Sequence, residues 1–362
     1  MNQHKFLKAI CLSAVSLALG AGATVSAQAG VVGDLSSGAY YTYGNLNSYS
    51  LPIMAGIYDS SYGGGVGPGN PYYVASSPGA IKDQLVIYTG ASGQDVTTNA
   101  LGFDDAYQTP NGSSPQFASI NGAINVISPG DKGGIANNDS NTWDANLLAL
   151  KGFLAGGDPI FLFNNNDTNS DPDLAIWGKL WLTDGSGELF NDRYLYLSNE
   201  GAVYGYGGVL NGDASLYNPG DVTPMVDPTT GETDFVLSGS TICLDAAWQV
   251  QACDGTQAHK IDQNLGANQA VYAGVVPVLN EWLGGLFALD DTSLGQYTLH
   301  LNLELGCAPG WNGDCSGIKI DNGYEQLFLV SSGGEQVPEP NTIALAALGF
   351  LAGWFALRRQ PR

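Results

Sequence analysis

Tyr297-Thr298-Leu299-His300-Leu301-Asn302-Leu303-Glu304-Leu305 alternates apolar and polar residues without a break. Tyr297, Leu299, Leu301, Leu303 and Leu305 point one way, and Thr298, His300, Asn302 and Glu304 the other. A strict period of two over such a length predicts a half-buried β-strand, with His300 solvated or paired across to a neighbour. Downstream, Gly323-Tyr324-Glu325-Gln326-Leu327-Phe328-Leu329-Val330 reads as its antiparallel partner, so the two form a hairpin that closes the domain.

Working outward, Gln84 to Thr89, Phe117 to Ile127, Ile160 to Phe163, Leu174 to Thr183, Tyr194 to Ser198, Phe235 to Leu237, Thr241 to Leu244 and Val271 to Val276 carry the same strand signals. In Leu174 to Thr183, Leu174, Ile176, Leu180 and Leu182 share a core face. Trp177, Lys179, Trp181 and Thr183 share the other, where the two tryptophans either form a stacking platform for a sugar ring or pack under Trp143. The period changes twice. Trp143, Leu147, Leu150 and Leu154 predict a helix capped by Asn141 or Thr142 and stopped at Gly156-Gly157, and Pro277 opens a second helix to about Phe287. Gly30 to Gly79 reads as loops with short edge strands. Its run Gly63-Gly64-Gly65-Val66-Gly67-Pro68-Gly69 lacks the spacing of a phosphate loop. The expected fold is mainly β, an antiparallel β-sandwich or jelly-roll with two short helices, spanning residues 30–330.

The chain has fifty glycines and only 13% charged residues, a composition of many turns around a folded core rather than a disordered polyacid. Lys5 and Lys8 precede an apolar run from Ala9 to about Ala23. Val25-Ser26-Ala27 or Ala27-Gln28-Ala29 then offers a cleavage site, so residues 1–29 read as a signal peptide for the Sec machinery. Without this segment and the tail from Val337, seven basic residues face thirty-three acidic ones, a net −26. Such a surface excludes nucleic acid and anionic lipid as partners and favours divalent cations or cationic molecules.

Cys11 belongs to the signal peptide, leaving Cys243, Cys253, Cys307 and Cys315. An even number in an exported chain reads as two disulfides. The local pairings, Cys243 with Cys253 and Cys307 with Cys315, are favoured, each closing a loop worth roughly 2–3 kcal/mol. A four-cysteine zinc site is the rival, without a CxxC pair to support it.

Asn165, Asp167, Asn169, Asp171 and Asp173 place oxygen ligands at every second position of an inter-strand loop. Calcium takes about six to eight oxygens, which makes this run the candidate metal site and calcium the one cofactor to consider. It has neither the Gly nor the Glu of an EF-hand, and Asx-rich turns also join strands without metal. Asp184-Gly185-Ser186-Gly187-Glu188 reads as a hairpin turn, and Asp104-Asp105 and Asp290-Asp291 as surface charge. No catalytic signature stands out. His259 and His300 are the only histidines of the mature chain, GxSxG is absent, and thirty-three acids make the carboxylate pair of a glycosidase unavoidable by chance.

The last residues form a unit of their own. Val337-Pro338-Glu339-Pro340 is held extended by its prolines. Thr342 to Leu357 is uncharged, but as a helix it spans roughly 24 Å against a hydrocarbon core of about 30 Å. Arg358, Arg359 and Arg362 keep the end cytoplasmic and put the remainder across the membrane. This order of motif, marginal span and arginine cluster resembles the PEP-CTERM sorting signal, here residues 337–362 after a linker at 331–336. The resemblance implies recognition and removal of the tail by exosortase, in a Gram-negative bacterium that makes exopolysaccharide. Phe163-Asn164-Asn165-Asn166 with Trp177, and Leu305-Gly306-Cys307 with Asn322 to Phe328, resemble exported ectodomains of undefined function that precede such tails. The expected protein is a noncatalytic component of the cell surface or extracellular matrix, tethered to the inner membrane before processing and associated with exopolysaccharide. The alternative is a secreted carbohydrate-active enzyme with unrecognised carboxylates.

Overall fold

The alternation at 298–305 forms a strand whose leucines enter the core, with Leu299, Leu301 and Leu303 nearly solvent-free. The computed structural model describes residues 31–36, 38, 40–43, 45–77, 80–81, 84–90, 99–109, 116–118, 133–164, 176–198, 241–248, 250–251, 254–262, 269–306 and 325–332. The order begins β1 (Val31–Val32), β2 (Tyr41–Tyr43), β3 (Leu46–Ser50), α1 (Leu51–Tyr62), β4 (Leu85–Thr89), β5 (Tyr107–Gln108), β6 (Gln116–Ala118) and β7 (Trp143–Asn146). It continues α2 (Leu147–Leu154), β8 (Pro159–Asn164), β9 (Ile176–Thr183), β10 (Leu195–Ser198), β11 (Thr241–Leu244), β12 (Val250–Gln251) and β13 (His259–Asp262). The order ends β14 (Tyr272–Val275), α3 (Pro277–Leu286), α4 (Asp291–Leu294), β15 (Thr298–Gly306) and β16 (Gln326–Ser332).

Strand outweighs helix, and the strands make several sheets with no closed barrel among the described residues. An eight-stranded sheet runs β2-β3-β14-β8-β16-β4-β5, with β1 added beside β16. A five-stranded sheet runs β10-β9-β15-β6, with β7 also on β15, and β12-β11-β13 form a small third sheet. Pairing is antiparallel except for β1 with β16 and β4 with β5, which are parallel.

The two larger sheets share one apolar interior. Leu85 and Ile87, Phe161 and Phe163, and Leu327 and Leu329 from the first meet Leu180, Leu182, Leu299, Leu301 and Leu303 from the second. The alternate residues of the first sheet, Val86, Ile160, Leu162, Phe328 and Val330, are buried on its opposite side against Val32, Leu35 and the Leu51 and Met54 side chains of α1. The eight-stranded sheet is therefore covered on both faces, which is why its strands read as unbroken apolar runs. Each such leucine or phenylalanine stabilises the fold by about 1.5–3 kcal/mol.

This double burial overturns the expected hairpin. β16 is buried from Gln326 through Ser331 and pairs with β8, β4 and β1, whereas β15 pairs with β9, β7 and β6 in the other sheet. A strand apolar on both sides has no place beside β15, whose second face is polar. β16 also continues through Ser331 and Ser332, the first two positions of the expected linker.

Two helical readings change as well. Trp143 to Asn146 is a strand, and the helix starts at Leu147 with Asn146 as its cap, its side chain accepting from the Leu148 and Ala149 amides. Trp143 and Ala145 alternate into the core exactly as a strand on β15 requires, so the helical spacing of Trp143 was a coincidence of register. α1 lies where loops were expected: Ser50 caps it, Pro52 sits in its first turn, and Leu51, Met54 and Ala55 are buried. Gly56, inside α1, is required by packing, because a Cβ there would fall 2.1 Å from the Trp248 ring. The glycine run ends this helix rather than opening one, which removes the phosphate-loop geometry. α3 follows expectation, burying Leu279, Leu283 and Leu286.

Candidate functional site

His300 occupies the polar face of β15, yet that face is buried: Thr298 is 0%, His300 2% and Asn302 8% exposed. The half-buried strand is thus closed on both sides, the second by the segment from 133 to 142 and by Trp181. The Thr298 hydroxyl donates to the Ala136 carbonyl and the Asn137 amide to the Asp184 carbonyl, which ties this segment down.

Register assembles a row across the five-stranded sheet. Asp144 on β7 and Trp181 on β9 are the two cross-strand partners of His300. His300 Nδ1 lies 2.8 Å from Asp144 Oδ1, and Nε2 lies 2.8 Å from the Thr183 hydroxyl. Trp181 stacks on the imidazole at 5.2 Å and 19°. In the tautomer that carries its proton on Nδ1, His300 donates to Asp144 and accepts from Thr183.

Asp144 is the hub. It accepts from the Thr142 hydroxyl at 2.5 Å and the Asp139 amide at 2.6 Å, and its own amide donates to Asp104 Oδ2 at 3.0 Å. The Asp104 carbonyl accepts from Trp143 Nε1 and from Asn99 Nδ2, and the Asn99 side chain bonds both backbone groups of Val86 on β4. A polar spine therefore crosses from the outer face of one sheet into the other. Asp104, expected at the surface, is 1% exposed because Asp144 and Asn99 fold over it.

The order Asp144, His300, Thr183 is that of a nucleophile with its base and orienting acid. Here it is sealed: Asp144 is 0% exposed, both ring nitrogens are engaged, and Trp181 covers the imidazole face. What the row offers to solvent is its far end. Tyr194, 39% exposed, meets Trp181 edge-on at 5.5 Å, and Lys179 Nζ lies 5.0 Å from the Trp181 ring and 4.7 Å from the Tyr194 ring. The packing of Trp181 under Trp143 does not occur, since Trp143 is in the core on the opposite face.

The turn at Asp184 forms as expected. Its carboxylate accepts from the Ser186 hydroxyl and amide and from the Glu188 amide, and the Ser186 bonds hold it below the ordinary carboxylate range. Asp290 caps α4 in the same way, while Asp291 opens that helix. His259 stacks on Trp248 at 3.9 Å. Asn165, Asp167, Asn169, Asp171, Asp173, Cys253, Cys307, Cys315, the signal peptide and the whole sorting tail lie outside the described residues; Cys243 is buried on β11. Among the described residues, no group of three or more His, Cys, Asp or Glu side chains could hold a metal ion, and no helix is long and apolar enough to cross a membrane. Asp144 is the residue that sequence reading missed; the apolar-polar alternation Trp143-Asp144-Ala145-Asn146 was the signal that could have found it.

Residues 33–304, from just after β1 to near the end of β15, match the family described as a domain of unknown function, DUF8239. The chain belongs to this family. The sealed row of Asp144, His300 and Trp181 thus lies within the DUF8239 domain, whereas β16 follows the match. Residues 336–360 match the PEP-CTERM protein-sorting motif. Proteins with this motif are exported, processed by exosortase and sorted to the cell surface in Gram-negative bacteria. No curated protein and no solved structure matches the chain.

Proposed function

We propose that this exported DUF8239 protein is a noncatalytic, polysaccharide-binding component of the cell surface or extracellular matrix, released from its inner-membrane tether by exosortase. The ledge formed by Trp181, Tyr194 and Lys179 carries the reading. Aromatic rings offer apolar faces and edges to a sugar, and a lysine supplies hydrogen-bond donors beside them. The adjoining histidine is closed off, so the ledge binds without a reactive group behind it. With a net −26 on the mature chain, the polymer that fits is neutral or carries amino groups, since a polyanion is repelled.

The test is affinity electrophoresis of the purified ectodomain in gels containing the producer's own polysaccharide. Retardation is expected, and Tyr194→Ala weakens it about five- to thirtyfold, equivalent to about 1–2 kcal/mol. Tyr194 is the residue to change because its exposure leaves the core intact. Retention unaffected by Tyr194→Ala removes the ledge from the function, and new reducing ends during incubation would identify a carbohydrate-active enzyme instead.

A further inference from the structure

The strand that carries the sorting tail, β16, ends at Ser332 in the wall of an open cleft of about 470 Å3. The floor is apolar, formed by Val32, Leu35 and Ile160, and the rim carries the exposed carboxylates of Asp34 and Asp158. Among the described residues, neither Lys nor Arg lines it. Asn280 on α3 also lines the cleft; its Oδ1 is shielded from solvent and has no hydrogen-bond partner among the described residues.

The cleft is rigidly joined to the end of β16. Parallel pairing sets Val31 and Val32 against Ser331 and Ser332. The Ser332 amide donates to the Asp158 carbonyl, and the Asp158 amide donates to Ser332 Oγ, both at 2.8 Å. Gly157 makes this closeness possible, because a Cβ there would lie 2.2 Å from the Ser332 carbonyl. From Ser332 to Val337 is five residue steps, at most roughly 18 Å of extended chain. Any enzyme that engages Val337 to Pro340 therefore works against this end of the folded domain.

We propose that the acid-rimmed cleft beside Ser332 is a docking site for a basic extramembrane loop of the membrane-embedded enzyme that cuts the sorting tail. The inference rests on exosortase processing and adds a second recognition surface to it. An arginine fits the chemistry: its stem covers the apolar floor while its guanidinium reaches the Asp34 and Asp158 carboxylates. Asp34 is held below the ordinary carboxylate range by the Ser36 amide and stays charged. Anionic lipid is repelled by the same carboxylates, so the membrane surface itself is the wrong partner.

The test follows conversion of full-length precursor to mature protein in producer cells by pulse-chase. Asp34→Lys with Asp158→Lys slows conversion about tenfold, because charge complementarity acts chiefly on encounter. Inserting twelve Gly/Ser residues between Gly333 and Gly334 in that double variant restores conversion, since the enzyme then reaches the motif without seating on the cleft. Conversion of the double variant at the parental rate overturns the proposal. So does a slowing that persists with the insert, which marks a defect of export or folding. The processing premise has a separate readout: replacement of Pro338, Glu339 and Pro340 blocks conversion, and if it does not, that premise has failed whatever the charge reversal does.

Discussion

Replacing Pro338, Glu339 and Pro340 together by alanine leaves the protein as a full-length, membrane-bound precursor, with conversion reduced at least about tenfold. Proline fixes its own φ angle and disfavours helix at the residue before it, which is the ground for expecting an extended motif from the sequence. Alanine removes that restriction, favours helix across the motif and takes away its carboxylate. A tenfold loss corresponds to only about 1.4 kcal/mol of recognition, and removing all three residues removes more than that. The measurement is mature size and location by immunoblot of cell and medium fractions. A triple variant of normal mature size and location would sink exosortase processing and make the tail a plain membrane span.

The second large effect is on stability. Asp144→Ala costs about 3–5 kcal/mol, read as a shift of the denaturant midpoint of the purified ectodomain. The carboxylate accepts from Thr142, Asp139 and His300, and alanine leaves the buried His300 ring donor and the part-buried Asp139 amide unmet, while the Thr142 hydroxyl falls back on the Asp139 carbonyl. Because Asp104 and Asn99 continue the network to β4, the loss is shared by both sheets rather than confined to β7. Asp144→Asn keeps acceptor capacity on one oxygen and falls between alanine and the parent. Leu148→Ala, at an exposed position of α2, stays within about 0.5 kcal/mol and serves as the control. A loss below about 1 kcal/mol for Asp144→Ala would show that water replaces the carboxylate and that the row is less closed than its geometry implies.

The parts of the fold readable in advance were those where one face decides. Leu299, Leu301 and Leu303 on β15 and Leu180 and Leu182 on β9 needed only a period to be placed, and Pro277 marked the start of α3. β16 was assigned to the wrong partner, β15, and β8 to none, because a strand buried on both faces has no polar row to orient it. α1 was hidden by surrounding glycine and tyrosine, since its stability comes from Leu51 and Met54 packing on the sheet and from the Ser50 cap rather than from propensity. The candidate site was legible only in pieces. Trp181 and its neighbours on β9 followed from alternation, but Asp144 reaches His300 across 156 residues of chain. Spacing carries no trace of a pairing that distant.

While the precursor is held by its C-terminal tether, any load on the domain is a pull along β16, from Ser332. β16 lies inside its sheet, bonded to β8 from Gln326 to Ser331 on one side and to β4 on the other. A pull along the strand loads those ladders in shear, all bonds together, instead of unzipping them one at a time. The attachment strand is therefore the mechanical anchor of the domain. Single-molecule extension from that end should show a higher rupture force than peeling the peripheral pair of β11 and β12, and equal forces would refute it.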